Sequence, residues 1–372
     1  MRIGVPTEIK ANEYRVGLTP ESVAELVGRG HEVFVEAGAG AGIRVSDTDY
    51  EAVGATMMVT SADVFERSEM IVKVKEPQAV ECAMLRGDQV LFTYLHLAAD
   101  AVLTHRLMQS GVVAIAYETV SADDGSLPLL APMSEVAGRL SIQAGAQALE
   151  SVHGGAGILL GGVAGVAPAQ VVVIGGGIVG SNAIQMALGL HATVTVLDQS
   201  VSRLRYLDTL FGGRLNTIVA TRPALAQYVA AADLVIGAVL IPGAAAPKLV
   251  THEMIKAMRP GAAIVDVAID QGGCFATSRP TTHAEPTFVV EQVVHYCVAN
   301  MPGAVPRTST YALNNATLPY VIKLAEGSQQ ALLEDAHLRA GLNVYHGNVT
   351  QAAVAAAVGT DFQPIEAALQ AA

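Results

Sequence analysis

The stretch VVVIGGGIVGSNA, residues 171–183, decides the fold. Its β-branched run reads as a buried parallel strand, and Gly175-x-Gly177-x-x-Gly180 follows at once and opens a helix. A turn that cradles a pyrophosphate needs those glycines. The first makes the tight turn, the second lets backbone N–H groups approach the phosphates, and the third lets the helix pack on the strand. Among 36 glycines the spacing alone is weak evidence, but the strand–turn–helix context is right. A second strand, TVTVLD, ends in Asp198, eighteen residues past Gly180. A carboxylate there accepts ribose hydroxyls and repels a 2′-phosphate, which favours NAD(H) over NADP(H).

Outward from this turn the chain continues as an α/β series. QVVVIG (170–175), TVTVLD (193–198), NTIVA (216–220), DLVIGAV (233–239), AAIVDVA (262–268) and VHYCVAN (294–300) read as six strands, the number in a complete dinucleotide-binding sheet. Upstream, RIGVP (2–6), EVFVEA (32–37), MIVKVK (70–75), QVLFTYL (89–95) and GVVAIAY (111–117) form a second series. A helix over 19–30 starts at N-cap Thr19 with Pro20 first inside it and stops at Gly30. The segment 132–152 predicts a helix of about twenty residues, N-capped by Ser134, which spans roughly 30 Å and suits a bridge between two domains. After residue 325 the pattern reads as helical to the end.

Bulk composition agrees with a packed two-domain protein. The chain has 372 residues, 51% hydrophobic and 15% charged, too long for one ordinary core. A net charge of −12, with no Lys/Arg-rich run, argues against nucleic acid and against anionic membrane surfaces. Cys82, Cys274 and Cys297 are far apart and odd in number, so neither a disulfide framework nor a zinc site is expected, and no metal is assigned. Residues 151–197 lack Asp, Glu, Lys and Arg, yet glycines and Pro168 break them into short runs unlike a bilayer span. MRIGVPTEIK has no apolar core for a signal peptide, so a cytoplasmic protein is expected.

Several ionisable residues fall at strand ends in apolar surroundings. Arg15 lies in the loop after the first strand; Lys73 and Lys75 are placed on one face of IVKVKEP; Tyr94 and His96 are two apart in LFTYLH; Asp270 follows IVDVAI. Each alone has an ordinary explanation, since surface cations are usually solvated and a lone imidazole is more often a core histidine. In doubly wound sheets, however, ligands bind beyond the carboxyl ends of the strands, where all of these lie.

Long blocks carry a resemblance. GVPTEIKANEYRVGLTP, VKVKEP, LFTYLHLA, AIAYET, LPLLAPMSEVAGR, DLVIGAVLIPGAAAPKLV, AIVDVAIDQGGCF and YCVANMPGAVPRTSTYALNNATLPY make the chain resemble the family shared by alanine dehydrogenases and the nicotinamide nucleotide transhydrogenase α subunit. The resemblance implies two Rossmann-like α/β domains, doubly wound parallel sheets joined by a long helix, with the active site in the inter-domain cleft. It implies a discontinuous substrate domain of residues 1–129 and 307–372 and an NAD-binding domain of residues 130–306. The implied activity is reversible, NAD-dependent oxidative deamination of L-alanine to pyruvate and ammonium by a homo-oligomer, a hexamer in the family.

By position, Arg15 and Lys75 match substrate-binding residues and His96 and Asp270 catalytic ones. Ser134, Gly175, Gly177, Ile178, Val179, Gly180, Asp198, Arg203, Ala220, Val239, Leu240, Val267, Ala268, Ile269, Asp270, Arg279, Val298, Ala299, Asn300 and Met301 fall at cofactor positions. Ala220 stands where relatives often carry a hydroxyl, so that contact is lost or taken by Thr221. Tyr94, Leu130 and Met133 are candidates for a pocket that takes the alanine methyl group. Two other readings stay open at this point. One is a related amino-acid or opine-type dehydrogenase acting on another 2-oxo acid; the other is a transhydrogenase-like NAD-binding subunit.

Overall fold

The computed structural model describes residues 1–239 and 246–370. The chain divides into two compact units, Met1–Met133 together with the chain from Val305 onward, and Ser134–Ala304. The first run of strands is β1 (Arg2–Val5), β2 (Glu32–Glu36), β3 (Thr56–Met58), β4 (Met70–Val72), β5 (Val90–Thr93) and β6 (Val113–Ala116). The second is β7 (Gln170–Ile174), β8 (Thr193–Asp198), β9 (Leu215–Val219), β10 (Leu234–Gly237), β11 (Ala263–Asp266), β12 (Thr287–Val290) and β13 (Val293–Tyr296). Two more, β14 (Leu342–Tyr345) and β15 (Asn348–Val349), follow near the end.

In the first unit the sheet order is β15-β14-β6-β5-β4-β1-β2-β3, and β3 through β6 run parallel. The six parallel strands therefore stand in the order 3-2-1-4-5-6, with the chain reversing its direction of travel between β1 and β4. In the second unit the order is β12-β13-β11-β10-β7-β8-β9, the same winding with its reversal between β7 and β10. The strands between the helices are apolar without alternation (VLFT in β5, LVIG in β10, every residue buried), as expected where both faces are covered.

Three expectations need correction. The sheets are mixed, because β12, β14 and β15 each pair antiparallel at an edge. The chain past residue 325 is not helical throughout, since β14 and β15 extend the first sheet. The helix predicted over 132–152 runs over Ala131–Ala148, so Ser134 lies inside it rather than capping it. The helix at Pro20–Gly28 begins as read, with Thr19 accepting the N–H of Ser22.

Each unit has its own core. Phe65, Ile71, Leu91 and Leu107 belong to one cluster in the first unit; Val235, Ile255, Ile264 and Phe275 belong to one in the second. Each such side chain contributes about 1.5–3 kcal/mol on leaving water, enough in sum to hold the sheets rigid under the loops at their carboxyl ends.

Candidate active site

Arg15 is carried by the loop after β1. The long helix Pro306–Glu334 fixes that loop: Asn314 Oδ1 accepts the N–H of Thr19 at 2.8 Å, its Nδ2 donates to Gly17 O at 3.1 Å, and Val16 N–H donates to Thr310 Oγ1 at 3.3 Å. The guanidinium is buried and held by Glu13 through Nε–Oε1 at 2.6 Å and Nη2–Oε2 at 2.5 Å, while Nη1 lies 3.0 Å from Met133 Sδ. Burial works against its charge, but the Glu13 hydrogen bonds and charge outweigh that and leave the Arg15 pKa above its usual value. Glu13 was not singled out in the sequence, where its spacing from Arg15 looks like ordinary loop chemistry.

β4 ends at Val72, so Lys73 and Lys75 do not share a strand face. Lys73 is fully buried, 3.1 Å from Glu8 Oε2 and 2.7 Å from Glu81 Oε1. Burial opposes its charge, yet the two carboxylates hold it up; Glu8 is raised chiefly by burial, against the pull of Lys73. The other Glu8 oxygen accepts the N–H groups of Val74 at 2.6 Å and Lys75 at 3.4 Å. Thr93 Oγ1 donates to the carbonyl of Lys75, which completes the support of that residue from β5. Lys73 is thus a structural ion in a carboxylate pair, and the half-buried Lys75 is the one at the rim.

His96 follows β5 in a left-handed backbone conformation, φ 52°, at the start of a 3-10 turn. Its side chain is 46% exposed, and its ring stacks on Tyr94 with planes 3° apart and centroids 5.9 Å apart. Tyr94 is buried and donates through its hydroxyl to Leu129 O at 2.5 Å. Glu118, just after β6, accepts the N–H groups of Leu95 and His96, the latter at 2.5 Å, and stands 3.7 Å from His96 Nδ1. Arg15, Lys75 and His96 therefore all lie beyond the carboxyl ends of three adjacent parallel strands, β1, β4 and β5.

The remaining site residues lie in the second unit. Gly175 has φ 96° and sits so close to Ala238 O that a Cβ would approach it to 2.7 Å. Gly177 is exposed with nothing near a would-be Cβ, and a Cβ on Gly180 would lie 1.9 Å from Gly175 O. Gly175 and Gly180 are thus required by close packing, while Gly177 leaves open space where the helix Ile178–Gly189 starts, with Ile178 exposed and Val179 buried. Asp198 closes β8 and accepts Gly176 N–H at 2.7 Å and Ser200 N–H at 2.8 Å. Arg203 donates to Gly176 O and to Ser181 Oγ, so it braces the same turn.

Ala220 follows β9, and its N–H donates to Asp198 O; Thr221 Oγ1 caps the next helix by accepting Ala224 N–H. Val239 follows β10, and Leu240 lies outside the described residues. Val267, Ala268, Ile269 and Asp270 form a 3-10 turn after β11. Fully buried Asp266 gathers that turn, accepting Ala268 N–H, Cys274 N–H and the Ser278 hydroxyl at 3.2, 3.0 and 2.6 Å. Asp270 is exposed and accepts Asn300 N–H at 3.3 Å, which ties it to Val298, Ala299 and Met301 past β13. Arg279 lies over the Phe288 ring at 4.1 Å, and Ser134 is half-buried on its helix.

A carboxylate at the end of β8, an open glycine turn on a helix N-terminus and a row of loops at strand carboxyl ends fit a dinucleotide. Among the described residues no group of three or more His, Cys, Asp or Glu is placed to hold a metal ion, and no helix is long and apolar enough to cross a membrane. The cysteines are buried thiols, with burial pushing Cys82 up to about 11 and Cys297 up to about 12.

Comparison with known proteins agrees with this architecture. Residues 4–137 match the family profile described as alanine dehydrogenase/PNT, N-terminal domain, and residues 141–352 match its C-terminal domain. Alanine dehydrogenase of Halomonas elongata is 61% identical over 99% of both chains. A solved L-alanine dehydrogenase superposes with TM-score 0.94 at 53% identity, covering 96% of this chain and 99% of that one. The transhydrogenase from Sinorhizobium meliloti superposes with TM-score 0.81 at 26% identity, covering 95% and 100%. Matched along nearly its whole length by both domain profiles and by these relatives, the chain belongs to the alanine dehydrogenase/PNT family.

Proposed function

We propose that the chain catalyses the reversible, NAD-dependent oxidative deamination of L-alanine to pyruvate and ammonium. What carries this reading is the set of Arg15, Lys75 and His96 at the carboxyl ends of adjacent strands, together with relatives that bear the name alanine dehydrogenase over the full chain length.

Arg15 takes the substrate carboxylate. Its planar guanidinium is already oriented by Glu13, so little side-chain freedom is lost when a carboxylate arrives. Lys75 places a point charge beside the ketone oxygen or the carboxylate and polarises the carbon that exchanges hydride. The residues from Gly175 to Gly180, with Asp198, hold NAD, which when bound accepts the hydride that leaves Cα. Alanine gives up one ammonium proton to solvent, and loss of hydride from the free amine leaves an iminium. Water attacks that carbon, and as the C–N bond breaks the hydroxyl proton passes to the departing ammonia, giving ammonium. His96 takes a proton from that water and returns one to the leaving nitrogen, a task suited to a group that titrates near neutral pH in water. Asp270 orients His96 or the water, or balances the charge of Lys75. In the reverse direction the same groups deliver ammonium to pyruvate. Assembly into a homo-oligomer and action in the cytoplasm belong to the same proposal.

NADH oxidation by the purified protein, with ammonium and a panel of 2-oxo acids, tests the reading. Turnover with pyruvate and little with larger acids is expected. Preference for a larger acid would indicate another amino-acid dehydrogenase, and absence of turnover with every acid would indicate a binding subunit.

A further inference from the structure

His96 occupies a backbone conformation that an L side chain rarely adopts, and it does so at the residue proposed to move protons. Such a conformation persists only where the surroundings hold it. Two residues, Glu118 and Tyr94, do so here. Glu118 Oε1 accepts the His96 N–H at 2.5 Å, and both Glu118 oxygens accept the Leu95 N–H, at 3.1 and 3.2 Å. The same Oε1 stands 3.7 Å from His96 Nδ1. Tyr94, locked by its hydroxyl bond to Leu129, stacks on the imidazole and limits its rotation. The Glu118 side chain is 16% exposed and fixed by these bonds, so its carboxylate keeps its place beside the ring.

We propose that Glu118 is the positioning residue of His96, holding the left-handed turn and keeping the imidazole proton on Nδ1, so that Nε2 is the nitrogen that exchanges protons with water. This rests on the acid–base role given to His96 above. The chemistry follows from the neutral imidazole, in which one nitrogen donates and the other accepts. A carboxylate beside Nδ1 favours the tautomer with hydrogen there and stabilises the imidazolium formed when Nε2 takes a second proton. The oxygen that caps the His96 N–H is also the one nearest Nδ1, so one carboxylate reaches both the backbone and the ring, and only removal of its charge separates the two roles. Sequence alone does not reveal the pairing, because Glu118 lies 22 residues away and on a different strand end.

The test separates cap from charge. In Glu118→Gln the amide oxygen still accepts the two N–H groups, while the charge facing Nδ1 is gone. Expected is a fall in kcat of roughly 10- to 100-fold, with KM for pyruvate and Kd for NADH changed less than about threefold. Glu118→Asp, which keeps the charge, is expected to be faster than Glu118→Gln. In a His96→Ala background, which is itself slow, Glu118→Gln should cost nothing further, because the two act as one unit. Wild-type kcat in Glu118→Gln, or a further loss in the His96→Ala background, overturns the proposal. A rise in KM and in Kd for NADH alongside lost thermal stability makes Glu118 a cap only. Full turnover in His96→Ala instead overturns the role of His96 and takes this proposal with it. Should Glu118→Gln not fold, the ring 15N and 1H signals of His96 in the wild-type protein decide: a hydrogen on Nδ1 supports the proposal, and one on Nε2 overturns it.

Discussion

Replacing Lys73 by methionine keeps the length of the side chain and removes only its charge. The ammonium is fully buried and is shared by Glu8 and Glu81, whose side chains are each only 2% exposed. Removing it strands two carboxylates away from water. Breaking a buried ion pair from one side typically costs about 3–5 kcal/mol. For a domain of roughly 150–250 residues, each kcal/mol lowers Tm by about 2–4 °C, so a fall of roughly 6–20 °C is expected. The effect should depend on pH with a definite sign. Glu8 is already raised above its ordinary value by burial, and loss of Lys73 removes the charge that pulls it down. A carboxyl whose folded pKa is raised binds protons in the folded state before the unfolded chain does. The penalty is therefore full above the folded pKa and shrinks as pH falls toward about 4.5. Urea unfolding of wild type and Lys73→Met at about pH 8 and about pH 5.5 measures this. A cost below about 1 kcal/mol at the higher pH, or one that grows on acidification, would refute the buried-cluster argument.

Other outcomes follow from the same geometry. Gly180→Ala pushes a methyl to within 1.9 Å of Gly175 O, so NADH affinity is expected to fall at least about 100-fold; a wild-type Kd by fluorescence titration would contradict the close-packing role. Arg15→Ala removes charge-assisted bonds worth about 1.5–3 kcal/mol each, which raises KM for pyruvate by roughly 10- to 100-fold and leaves NADH binding intact. A normal KM would remove Arg15 from the substrate site. Asp198→Ala deletes the acceptor of the Gly176 and Ser200 N–H groups. It should weaken NADH by about tenfold and narrow the preference over NADPH; an unchanged ratio of the two constants would show that selectivity arises elsewhere.

What could be read from the chain followed where local chemistry is obligatory. The glycine turn is legible because Gly175 and Gly180 meet steric demands that no larger residue meets, and Asp198 is legible because the next strand ends on it. β14 was missed because LNVY is four residues long and carries Asn343, whose side chain is satisfied by Thr119 Oγ1 and Gly341 O only after the sheet has formed. β3, three residues long, is too short to show any period. Lys73 and Lys75 read as a shared strand face because nothing local ends β4 before Lys73. The buried role of Lys73 depends on Glu8 and Glu81, neither of which is visible from the spacing of the lysines. Glu13 and Glu118 escaped for a related reason. Each supports a functional side chain through hydrogen-bond geometry, and a carboxylate in a loop carries no pattern that announces a partner.

Hydride transfer from Cα of alanine to the nicotinamide ring is tested most directly with L-alanine deuterated at C2, NAD and the purified protein, followed by mass and NMR analysis of the NADH formed. One deuterium per turnover is expected at nicotinamide C4, with pyruvate and ammonium formed in equal amounts with it. NADH without deuterium, or pyruvate released without NADH, would contradict it.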